Sequence, residues 1–99
     1  MAIEIDFEEG VENDLDCAYG WYEQRRFGLG EEFLQSVEAS FEAIRRAPTQ
    51  HAIFYKNYRR CLVRKFPYAV FYEFVDERVT VYAVLHTARN PRKWRERLP

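Results

Sequence analysis

The hydrophobic period of this sequence changes once, and that change dictates a mixed architecture. Before Pro48, apolar residues recur at helical spacing: Val11, Leu15, Ala18 and Tyr22, then Leu34, Val37, Phe41 and Ile44 with Phe33 beside them. Beyond Pro48 the apolar residues gather instead into runs rich in β-branched and aromatic side chains: Cys61–Phe66, Tyr68–Val75 and Val79–Leu85. A chain of 99 residues sustains one hydrophobic core. The two halves must therefore share it, and the expected fold is a single α+β domain spanning residues 1–99.

Local signals order the elements. Ile3–Phe7 alternates apolar and polar residues and reads as a short strand. Asp6, Glu8 and Glu9 open the first helix and Arg25 and Arg26 close it, as the helix dipole favours. Gly20 inside it suggests close packing or a bend. Gly28-Leu-Gly30 is a tight connection to a second, antiparallel helix, which Glu31 and Glu32 open, Arg45 and Arg46 close and Pro48 stops. The three later runs read as an antiparallel meander, with turns at Phe66-Pro67-Tyr68 and Asp76-Glu77-Arg78 and the first strand added at an edge. Asn90 at the cap and Pro91 at the first helical position start a short final helix, Arg92–Arg97.

Strict alternation puts Tyr68, Val70, Tyr72 and Phe74 on one sheet face, and sets Val79, Val81, Ala83 and Leu85 against Thr80, Tyr82, Val84 and His86. Both faces are then apolar, yet one helical hairpin covers only one of them. The other is expected to form an open aromatic groove rimmed by arginines. Charge points the same way. Residues 1–50 carry four arginines against twelve acidic residues, and residues 51–99 carry eleven Lys and Arg against four acidic residues. A basic half of this kind suits a polyanion or an acidic protein, unless the two halves simply neutralise each other.

Several classes are disfavoured. No apolar run approaches the roughly 18–20 residues of a membrane span, and the first residues lack the basic start and apolar stretch of a signal peptide. A cytoplasmic location is expected, with Cys17 and Cys61 as reduced thiols. There is no Cys/His cluster of metal-binding spacing, no GK[ST] loop and no G-x-G-x-x-G, so neither metal nor organic cofactor is expected.

These residues together resemble the RelE/ParE superfamily of bacterial type II toxins. The matching features run through Trp21-Tyr22, Gly28-Leu-Gly30 before Phe33, Ile44 with Pro48, Tyr55-Lys56, Tyr58-Arg59-Arg60, Phe66-Pro67-Tyr68, Val84-Leu85-His86, and Arg89-Asn90-Pro91 with Trp94. The resemblance implies a strand, a helical hairpin and a meander. It also implies a cognate antitoxin that threads a segment across the toxin in a hetero-oligomer. For the ParE branch it implies poisoning of DNA gyrase and growth inhibition, and for the RelE branch metal-independent cleavage of mRNA on the ribosome. A toxin-like binding module without activity is the third alternative.

Cleavage of RNA without a metal needs a base, an acid and cations around one phosphate. Lys56, Arg59, Arg60, Arg64, Lys65 and Arg89 are the candidate cations, and His86, Tyr68 or Tyr72 the acid–base candidates. Against this, Ala69 follows Phe-Pro-Tyr where RelE toxins place an arginine, and no tyrosine or histidine lies in the last ten residues. These departures, and the long hairpin, favour the ParE branch. Arg59, Arg60, Arg64, Tyr68, Tyr72, Tyr82, Arg89, Arg92 and Trp94 are then expected to bind antitoxin or target. Arg64 and Lys65 are expected on opposite faces of a strand, so that only one reaches the groove.

Overall fold

The computed structural model describes residues 3–89 and 92–99; the expected cap at Asn90 and Pro91 lies outside them. The elements are β1 (Glu4–Phe7), α1 (Val11–Arg25), α2 (Leu29–Arg46), β2 (Ile53–Tyr55), β3 (Tyr58–Leu62), β4 (Tyr68–Val75), β5 (Arg78–His86) and α3 (Lys93–Arg97). The strands form one sheet in the order β1-β5-β4-β3-β2, antiparallel except where β1 runs parallel to β5. The α+β class, the helical hairpin, the edge position of β1 and the short final helix agree with the expectation. Strand β2 is additional, because three residues are too few to show a period.

The hairpin buries Val11, Ala18 and Tyr22 of α1 and Phe33, Val37, Phe41 and Ile44 of α2 against Tyr68, Val70, Tyr72, Val79, Val81 and Val84 of the sheet. Close helix approach occurs at Gly30, where an added Cβ would lie 2.8 Å from the Tyr19 ring, and not at Gly20, which faces open space. The connection is Arg26–Gly28. Gly28 is left-handed (φ 89°), and its N–H and that of Gly30 donate to the Glu23 carboxylate at 2.9–3.1 Å.

Besides Gly20 and the bounds of the helical connection, three expectations about the sheet change. Strand β3 ends at Leu62, so Arg64 and Lys65 are exposed turn residues rather than neighbours on a strand. The turn is longer because Val63 N–H donates to the Tyr68 carbonyl and Tyr68 N–H to that of Phe66, with Lys65 left-handed at φ 71°. Next, β5 does not alternate throughout. Phe71 pairs with Ala83 but Tyr72 with Val81, so Tyr82 is an extra, bulged residue. The bulge moves Val84 onto the helix side with Val79 and Val81, and puts Ala83 and Leu85 on the opposite face.

The third change concerns that opposite face, which is not left open. Helix α3 and Leu98 lie across it, burying Tyr58, Ala69, Phe71, Ala83 and Leu85, with Phe54, Tyr55, Tyr82 and Trp94 partly buried around them. An ion pair holds this strap. Beyond Phe7, β1 leaves the sheet, and among the described residues no strand pairs with the outer edge of β5 past Val81. Asp14 of α1 accepts the Val84 N–H there at 3.1 Å, and Arg97 donates to the Tyr82 carbonyl at 3.0 Å. Arg97 and Asp14 are also joined by two hydrogen bonds of 2.8 and 2.9 Å, with the Asp14 side chain only 5% exposed. The backbone groups left by the departing strand are thus satisfied. Gly10 is required beside the pair: its φ is 102°, and a Cβ would meet Arg97 Nη2 at 2.8 Å.

Candidate functional site

Pairing between the acidic and basic halves is partial. Among the described residues, Arg78 bridges Glu4 and Asp6 across β1–β5, and Arg97 bridges Asp14. Lys56, Arg60, Arg64, Lys65, Arg89, Arg92, Lys93 and Arg95 are exposed, and none of them makes an ion pair among the described residues. All but Arg92, at the start of α3, fall in three places.

The first is a cleft of about 310 Å³ between α1, the end of β5 and the start of α3. Asn13, Cys17 and Trp21 line it at four-residue spacing along α1, and His86, Arg89 and Lys93 face them. Two guanidinium groups lie over the Trp21 indole, Arg25 at 3.7 Å and Arg89 at 4.8 Å from the ring centroid. His86 Nδ1 accepts the N–H groups of Ala88 and Arg89 at 3.1 and 3.0 Å, which places its proton on Nε2. Partial burial first, and then the Arg89 charge, lower its pKa. The cleft is thus cationic and aromatic and suits an acidic, partly apolar chain.

The second place is the strapped sheet face. Trp94 contacts Phe54 and Tyr55 with ring centroids 4.8 and 5.0 Å apart. Lys56 lies over Tyr55, Arg60 over Phe54 and Arg95 over Trp94, at 5.3, 5.4 and 5.4 Å. The third is a cavity of about 270 Å³ between α2 and the β3–β4 turn, where Arg64 and Lys65 face Glu32, Gln35 and Ser36.

Arg60, Tyr82 and Trp94 therefore lie on the strapped face, Arg92 at the exposed start of α3, and Arg89 in the cleft. Tyr68 and Tyr72 do not wall an open groove. Both are buried beneath the hairpin, where Tyr72 is fully enclosed and its hydroxyl donates to the Pro48 carbonyl at 2.7 Å. Burial pushes the Tyr72 pKa up to about 12 and raises that of Tyr68, so neither supplies a phenolate near neutrality. Arg59 points to the hairpin side and donates to the carbonyls of Thr49 and His51 at 3.1 and 2.7 Å, fastening the loop into β2.

Nor do the ribonuclease candidates converge. Lys56 and Arg60 belong to the sheet face, His86 and Arg89 to the cleft, and Arg64 to the turn beside α2. Among the described residues no group of three or more His, Cys, Asp or Glu is placed to hold a metal. Among the described residues no helix is long and apolar enough to cross a membrane. Sequence reasoning missed Asp14, the partner of Arg97, and did not assign Trp21 to a site. Arg25, four residues after Trp21 on the same helical face, was the available signal.

Residues 5–91 match the family described as the ParE toxin of the type II toxin-antitoxin system parDE. The chain is 32% identical over 92 residues to Toxin ParE2 from two strains of Mycobacterium tuberculosis, CDC 1551 / Oshkosh and H37Rv, covering 92% of this chain and 88% of each relative. The solved structure described as the chromosomal ParDE TA system from P. aeruginosa superposes with a TM-score of 0.75 at 11% identity, covering 85% of this chain and 95% of that one. That structural likeness shows a shared fold.

Proposed function

Because this chain belongs to the ParE toxin family of type II toxin-antitoxin systems, we propose that it arrests growth by inhibiting DNA gyrase and is neutralised by a cognate antitoxin. The antitoxin enters through an acidic, partly apolar segment that occupies the cleft between α1, β5 and α3. The observation that carries this assignment is the Trp21 indole with Arg25 and Arg89 over it, beside the end of β5. An apolar anchor next to the indole and carboxylates facing Arg89 and Lys93 would complement that surface. The target meets the strapped sheet face with Arg60, Arg92 and Trp94. Both encounters are cytoplasmic, and the neutralised toxin is a hetero-oligomer.

Scatter of the ribonuclease candidates over three places supports a poison rather than a nuclease, since one phosphate needs its base, acid and cations within hydrogen-bonding reach. The proposal is tested with purified, active gyrase and relaxed plasmid. The expected result is inhibited supercoiling, restored by the antitoxin. Unimpaired supercoiling together with cut mRNA in a translating extract would replace gyrase by the ribosome. Normal growth on induction without the antitoxin would reduce the chain to a binding module. For the cleft, Trp21→Ala with Arg89→Ala should weaken antitoxin capture by at least about tenfold, the loss expected for an aromatic–arginine hot spot.

A further inference from the structure

The strapped face carries a cluster with its own chemistry. Trp94 touches both Phe54 and Tyr55, and each of the three rings has a cation over it: Arg95 over Trp94, Arg60 over Phe54 and Lys56 over Tyr55. All three cations are exposed, and none is in an ion pair among the described residues. The nearby carboxylate on this face, Glu73, accepts the Tyr82 hydroxyl at 3.1 Å, while Glu96 lies on α3 between Arg95 and Arg97.

A ring beneath a guanidinium restrains a long side chain while leaving its N–H edge free. Arginine so held loses less freedom when it forms paired hydrogen bonds to a phosphate. The rings are half-buried and each already carries a cation, which leaves less of their surface for stacking of unpaired bases. Neither the 310 Å³ cleft nor the 270 Å³ cavity is lined by these six residues. A peptide partner would therefore find charge here, away from both of those pockets for an anchoring side chain. Cations set apart from those pockets favour a ligand that is itself a regular array of negative charge.

We propose that Lys56, Arg60 and Arg95, held by Tyr55, Phe54 and Trp94, form a docking surface for the sugar–phosphate backbone of duplex DNA, contacted without reading its sequence. This rests on the target-facing role given to the strapped face and names what that face touches. The surface meets DNA by charge and brings the toxin to a DNA-bound enzyme.

Binding is measured without gyrase, so that the two proposals fail separately. Fluorescence anisotropy of labelled duplex DNA is followed as the full-length protein is added, from 50 to 200 mM salt. Three phosphate contacts predict a slope of log K against log salt of about −2 to −3, equal for unrelated sequences. Lys56→Gln, Arg60→Gln and Arg95→Gln together should cost roughly tenfold or more in affinity. Arg64→Gln with Lys65→Gln, at the β3–β4 turn, should change it less than about twofold. If the triple variant does not fold, Lys56→Gln and Arg60→Gln singly, together with the salt slope of the native protein, give the same readout. Absence of binding at 50 mM salt, a flat salt dependence, or equal loss in both variant sets overturns the proposal. Displacement of duplex by poly-glutamate at a lower charge concentration than by unlabelled duplex overturns it in favour of an acidic protein.

Discussion

The two faces of the sheet are covered in opposite ways. The hairpin seals one with α1 and α2, and Phe33, Val37, Ile44, Val70, Tyr72, Val79 and Val81 there have almost no contact with water. A five-residue helix covers the other, with aromatic rings still partly exposed, cations over three of them and Leu62 60% exposed. The first arrangement maximises buried apolar area and stabilises the fold. The second retains charge where a larger helix would have excluded it. In the function proposed above, partners meet the sparsely covered face and the cleft at its border, while the sealed face supplies most of the buried apolar area.

The contrast is sharpest for single truncations. Phe33→Ala on the sealed face should cost about 3–5 kcal/mol in urea unfolding, whereas Trp94→Ala on the strapped face should cost less than about 2 kcal/mol. Equal losses would mean that the strap is part of the main core. The seam between the faces comes next. Asp14→Ala leaves Arg97 and the Val84 N–H without their carboxylate and should cost about 3 kcal/mol. Loosening of α3 should accompany it, seen as faster amide exchange at Leu98, whose N–H donates to the Trp94 carbonyl at 3.0 Å. Unchanged exchange there would show that the strap is held without the ion pair.

A smaller effect of opposite sign is expected far from both faces. Asp76 and Glu77 form the two-residue β4–β5 turn with φ of 53° and 62°, a conformation that favours glycine. Glu77→Gly should stabilise the protein by about 1 kcal/mol while leaving antitoxin binding unchanged. Acid has the smallest effect. The pKa values of His86 and His51 are both lowered, chiefly by desolvation. The unfolded chain therefore binds more protons than the folded one just below the ordinary histidine range, near pH 6.5. Their contribution to stability is complete above that range and declines as pH falls through the folded pKa values. Thermal midpoints should fall from pH 7.5 to 5.5, and His86→Asn should flatten part of that slope. A midpoint that rises on acidification would contradict the acceptor role of His86 Nδ1.

Much of the fold was legible because it follows from period and punctuation. Val11, Ala18 and Tyr22 in α1 and Phe33, Val37, Phe41 and Ile44 in α2 repeat at helical spacing, and they are the residues that the hairpin buries. What was not legible depended on single residues acting over long range. The bulge at Tyr82 reverses the facing of Ala83, Val84 and Leu85, and no local composition announces it. Asp14 reads as one more helical acid until Arg97, far along the chain, is brought to it. The cations were legible by count but not by place. Phe54, Tyr55 and Trp94, brought together only by the strap, decide which of them stand on one surface.

The most direct test of this division of labour is gyrase inhibition by a protein carrying Lys56→Gln, Arg60→Gln and Arg95→Gln. The substitutions lie outside both the sealed core and the α1 cleft. A folded variant with a near-native thermal midpoint should still be captured by the antitoxin, yet no longer inhibit supercoiling or arrest growth. Full inhibition by that folded variant would contradict the account and move the working surface off the strapped face.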